Sequence, residues 1–116
     1  MSINLDYIVK ARSQITETAQ CMLDGGISYI EGSRLICGLL EPARLERRDA
    51  PFVVFVAVDS ETDDVPIGEV RDTWHPDGKI KFAQEWANAE QYAKTIGEAA
   101  CKDAILWFVE HPYEPS

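Results

Sequence analysis

The C-terminal third of this 116-residue chain carries apolar residues in one unbroken helical phase, and that phase restricts the fold more than any other feature. Phe82, Trp86, Ala89, Ala93 and Ile96 step by four, three, four and three, and Cys101, Ala104, Ile105 and Phe108 continue the stripe. Such spacing puts every member on one face of an α-helix. It predicts one long helix, or two nearly collinear ones hinged at Gly97, begun around Trp74-His75-Pro76-Asp77 and ended by His111-Pro112. Trp86 and Phe108 share the stripe, so both are expected to be buried.

The first half of the chain follows the same logic. Leu5, Ile8, Val9, Ile15, Ala19, Met22 and Leu23 recur mostly at helical steps, with Asn4 as a cap and Gly25-Gly26 as a stop. A second helix is expected from about Ile27 or Ser28 to about Leu45, with Tyr29, Ile36, Cys37 and Leu40 on one face. Gly32 and Gly38 either weaken it or let another helix come close. Arg44, Arg47 and Arg48 gather positive charge at its end, where cations meet the negative pole of the helix dipole.

Between these helices, Phe52 to Trp74 has no sustained period. Its opening, FVVFVAV, is β-branched and aromatic enough for a buried strand, with Val65 to Val70 as a hairpin partner. The competing reading is a short buried helix begun by Asp49, with Phe52, Phe55, Val56 and Asp59 at helical steps. A lone hairpin must lie against helices to persist, so helix or irregular extended structure is slightly favoured. The expected architecture is mainly α: one helical domain over residues 1–116, a small bundle around a non-repeating centre.

Composition narrows the chemistry. Hydrophobic residues at 46% argue for a folded core, and a net charge of -9 repels phosphate backbones, so nucleic acid is not an expected partner. A basic protein would instead be attracted over long range. No run reaches the length of a membrane span, and MSINLDYIVKARSQ does not read as a secretory leader. Cys21, Cys37 and Cys101 lack metal-ligand spacing, so buried reduced thiols, a cytoplasmic location and no cofactor are expected.

Carboxylates dominate the candidate sites. Residues 49 to 72 hold seven acids and one base, Arg71. Asp59, Glu61 and Asp63 alternate like the start of a calcium loop, but the positions that should be Gly and a bidentate Glu are Asp64 and Val70. A looser divalent-ion site stays open, as does a solvated turn in which Ser60 and Thr62 bond the backbone. Cys101 lies on an apolar stripe and reads as a small buried hydrophobe rather than a nucleophile. Arg71 and Trp74 most simply pair and pack internally, yet if exposed they are residues that anchor interfaces.

The run VAVDSETDDVPIGEVRDTWHPD, preceded by YIEGSRLICGLL and followed by EWANAEQYAKTIGEAAC, resembles a group of short proteobacterial proteins. These share an IEGSR helix, an IDSETDxxPxGxVRxxWxPxxL centre and an AxxWAxxxGxxAC helix. The likeness spans about Ile27 to Cys101 and implies no catalytic residue. By size and charge the chain is also similar to immunity proteins, which neutralise bacterial toxins. The leading expectation is therefore a non-enzymatic immunity protein whose partner is a toxin with a basic active-site cleft. Asp59, Glu61, Asp63 and Asp64 would mimic its substrate's charge, with Arg71 and Trp74 as anchors. A carboxylate-based metal-binding domain or small enzyme is the alternative, and a homodimer without ligand is a third reading.

Overall fold

A computed structural model describes the backbone of residues 2–63 and 76–112, and side chains over 6–63 and 83–112. Four helices follow one another: α1 (Ser2–Leu23), α2 (Tyr29–Leu40), α3 (Phe52–Glu61) and α4 (Pro76–Glu110). No strand occurs among the described residues. The architecture is a small helical bundle. α1 packs on α2 and α4, α2 also touches α3 and α4, and α3 lies against α4.

Phe52 to Val58 is helical, which removes one arm of the considered hairpin; residues 65 to 70 lie outside the described residues. α3 escapes easy reading because its first seven residues are apolar on every side. Phe52, Phe55 and Val58 are buried, whereas Val53 is 39% exposed. Each fully buried aromatic or aliphatic side chain contributes roughly 1.5–3 kcal/mol, so the three inward residues hold α3 in place. The Phe52 ring meets Trp107 edge-on at 5.2 Å and Phe108 at 5.7 Å.

α1 and α2 end in the same hydrogen-bonded reversal. After α1, Gly26 N donates to Cys21 O at 2.8 Å and Gly25 N to Met22 O at 3.2 Å. After α2, Leu45 N donates to Leu40 O at 2.9 Å and Arg44 N to Glu41 O at 3.0 Å. This is the Schellman pattern, whose pivot residue adopts the left-handed conformation. The pivots are Gly25 at φ 82° and Arg44 at φ 59°. A residue with a Cβ is strained there by roughly 1–2 kcal/mol. Because an arginine occupies the pivot, the sequence conceals the stop, and regular helix ends at Leu40 rather than at the expected Leu45.

The start of α2 is assembled from two distant segments. Ser28 Oγ accepts from Glu31 N at 3.0 Å, as an N-cap should. Glu90, on α4, accepts from Tyr29 N at 2.7 Å and from Ile30 N at 3.0 Å. Close approach is built into the same corner. A Cβ on Gly32 would stand 2.3 Å from Met22 Sδ, and one on Gly97 would stand 3.0 Å from the Tyr29 ring. Gly97 is thus a contact residue within an unbroken α4, not a hinge.

Three expectations need correction. α1 begins at Ser2, upstream of Asn4. Trp86 and Phe108 are only partly buried, because each lines an open groove, Trp86 with Leu23, Gly25 and Gly26 at the end of α1 and Phe108 with Val9, Arg12 and His111. Cys21 is exposed, on the outward side of α1, while Cys37 and Cys101 are buried as expected.

Candidate functional site

The carboxylates first read as a loop belong largely to a helix end. Asp59 and Glu61 sit in the last turn of α3, Thr62 follows, and Asp63 occupies the turn beyond. Thr62 is 2% exposed, and its hydroxyl donates to Val58 O at 2.6 Å. Arg34, projecting from α2, donates through Nη2 to the Thr62 carbonyl. Its Nε lies 3.5 Å from the Asp59 carboxylate. The end of α3 is therefore a fixed platform, and Glu61 and Asp63 are displayed from it.

Of the residues expected to bind a partner, Asp59, Glu61 and Asp63 lie close along the chain at the end of α3 but do not converge, since Asp59 faces Arg34 on α2 and Glu61 faces Tyr92 on α4. Asp64, Arg71 and Trp74 lie outside the described residues. Asp59 is partly engaged by Arg34, and Glu61 reaches α4, where it accepts from the Tyr92 hydroxyl. That bond is the main reason the Tyr92 phenol titrates above its ordinary value of 10.0.

Tyr92 leads to residues that the motifs did not single out. At roughly 100° per residue, Glu85, Asp103 and Glu110 fall within about 20° of Tyr92 around α4. All four are exposed. Ala99 shares their line, between Tyr92 and Asp103, and is exposed. From Glu85 to Glu110 the line runs about 38 Å, at roughly 1.5 Å rise per residue. Lys94 points to the opposite side of the helix. Lys102 stands about 80° aside by the same spacing and pairs with Glu98 at 3.7 Å. The seven-residue intervals from Glu85 to Tyr92 and from Asp103 to Glu110 were the available signal.

Several of these charges are placed against local preference. Asp59, Glu61 and Glu110 lie in final helical turns and face the negative pole of the dipole. That position is unfavourable by ~0.3–1 kcal/mol at exposed sites. Neither α3 nor α4 has a base in its last turn. Such an arrangement is relieved by an approaching cation and strengthens attraction to a basic surface.

The thiols behave differently. Burial pushes Cys37 up to about 11 and Cys101 up to about 12, so neither is a ready thiolate at neutral pH. Cys101 Sγ lies 3.7 Å from Met22 Sδ within the core. Among the described residues no three His, Cys, Asp or Glu side chains converge as a metal site requires. No described helix is long and apolar enough to cross a membrane. Comparison with known proteins finds no matching family model, no matching curated protein and no matching solved structure.

Proposed function

We propose that this chain is a cytoplasmic immunity protein that binds a bacterial toxin and covers its basic active-site cleft with an acidic surface. The observation that carries the reading is one face of α4. There Glu85, Asp103 and Glu110 stand in line with Tyr92, whose hydroxyl bonds Glu61 at the end of α3. Carboxylates held on two helices offer a cleft that binds phosphate-bearing substrates a set of competing charges. Attraction between such surfaces speeds encounter by about tenfold or more at low salt. Tyr92, 38% exposed, stands inside the row and supplies an aromatic anchor.

The test is co-expression with the product of the neighbouring gene, followed by binding measurements at rising salt. Wild type should form a complex and relieve toxicity. Neutralising Glu85, Asp103 and Glu110 to Gln or Asn should lower the association rate about tenfold or more. The same loss is expected when Asp59, Glu61, Asp63 and Asp64 are neutralised. No complex and no rescue would end the immunity reading. Thermal stabilisation by calcium, magnesium or manganese that disappears in the second variant would replace it with the metal-binding one.

A further inference from the structure

The corner between α2 and α3 departs from local preference at three points that meet in space. Gly38 lies near the end of α2, where glycine is a poor helix former. Packing does not require it: a Cβ there would meet nothing within 4 Å. Arg44 holds a left-handed pivot that glycine would fill without strain. Arg44, Arg47 and Arg48 make no ion pair among the described residues, in a chain with twenty acids.

Two grooves meet at this spot. One, of about 860 Å³, is lined by Gly38, Glu41, Arg44, Glu46, Arg47 and Arg48. The other, of about 420 Å³, is lined by Tyr7, Ile8, Gly38, Glu41, Pro42 and Arg44. Gly38, Glu41 and Arg44 belong to both. The nearby backbone carbonyls are occupied: Leu39 O takes Ala43 N, Leu40 O takes Leu45 N, and Ala43 O takes Arg12 Nε at 2.9 Å. Arg44, Arg47 and Arg48 supply the positive charge along the larger groove.

We propose that this corner binds a small phosphate-bearing molecule, its anionic end on Arg44, Arg47 and Arg48 and a flat ring against Tyr7. Guanidinium forks match phosphate oxygens two at a time, and three arginines outnumber the two glutamates of the groove. Tyr7 is 62% exposed, open for stacking. A small ligand fits better than a polymer, because an extended phosphate chain would run along the acidic surface of a chain with net charge -9, whereas a compact anion meets mainly the local arginines. Gly38 leaves the floor open between the two grooves. The ligand site lies apart from the acidic line on α4 and does not depend on the toxin reading.

The experiment titrates the isotope-labelled full chain with pyrophosphate, with adenosine diphosphate and, as a control, with sodium sulfate, following backbone amide signals. Saturable shifts around residues 37–48, tighter for adenosine diphosphate than for pyrophosphate and absent with sulfate, support the site. Arg44→Gly and Gly38→Ala should each raise the melting temperature by roughly 2–4 °C while weakening adenosine diphosphate at least about fivefold. Tyr7→Ala should weaken adenosine diphosphate and leave pyrophosphate unchanged. Equal shifts with all three anions, or variants that bind as tightly as wild type, would overturn the proposal.

Discussion

The two ends of α2 solve opposite problems. At its start, each unusual choice has a structural reason: Glu90 takes two orphan amides, Gly25 fills a left-handed pivot, and Gly32 and Gly97 stand where a Cβ would press on Met22 and Tyr29. At its far end the same chain reversal is built from Arg44, and Gly38 sits in open space. One corner is tuned for stability and the other is not. Features that lower stability without a packing return concentrate where a surface is used for something else.

Substitution can break this contrast or make it sharper. The largest effect is expected at Glu90. Glu90→Ala should destabilise the protein by about 2 kcal/mol, since two helix-start amides lose their acceptor at once, as read by urea denaturation. A loss under about 0.5 kcal/mol would place the start of α2 on the same footing as its end. Next comes a mirrored pair. Gly25→Ala should cost about 1 kcal/mol, from backbone strain alone because its Cβ would meet nothing, and Arg44→Gly should return about the same amount. If both changes destabilise, Arg44 is held by contacts of its own and the two pivots are not equivalent. The smallest effect concerns Ser33, fully buried with no hydrogen-bond partner for its hydroxyl among the described residues. Ser33→Ala should be neutral or stabilising by up to about 1 kcal/mol, because an unsatisfied buried hydroxyl is lost without changing shape much. A clear destabilisation would reveal a partner to that hydroxyl.

Legibility of the sequence followed the range of the forces involved. α1, α2 and α4 show in their apolar stripes, because each buries one face and exposes the other. α3 does not show, because an apolar residue at all of its first seven positions erases the period that separates helix from strand. The end of α2 was overestimated for a similarly local reason: Arg44 stands where a glycine would have announced the turn. Glu90 could not be assigned its role at all, since its partners lie 61 and 60 residues away. The acids of the candidate surface were half legible. Asp59, Glu61 and Asp63 stand out by density, whereas Glu85, Asp103 and Glu110 become a group only once α4 is known to be a single unbroken element.

The Glu90 clamp also predicts an order of assembly. The reversal after α2 closes through backbone bonds between residues five or fewer positions apart, and its one longer bond, Arg12 Nε to Ala43 O, spans 31 residues, about half the separation of the Glu90 bonds. The first turn of α2 is completed by a residue from a remote part of the chain, and closing so large a loop carries an entropic penalty that local contacts do not. Ser28 caps that turn locally through Glu31 N and Gly32 N, so what waits for α4 to dock is the pairing of the Tyr29 and Ile30 amides. In folding kinetics, Glu90→Ala would chiefly accelerate unfolding, and the arrival of α4 becomes the step that locks the bundle.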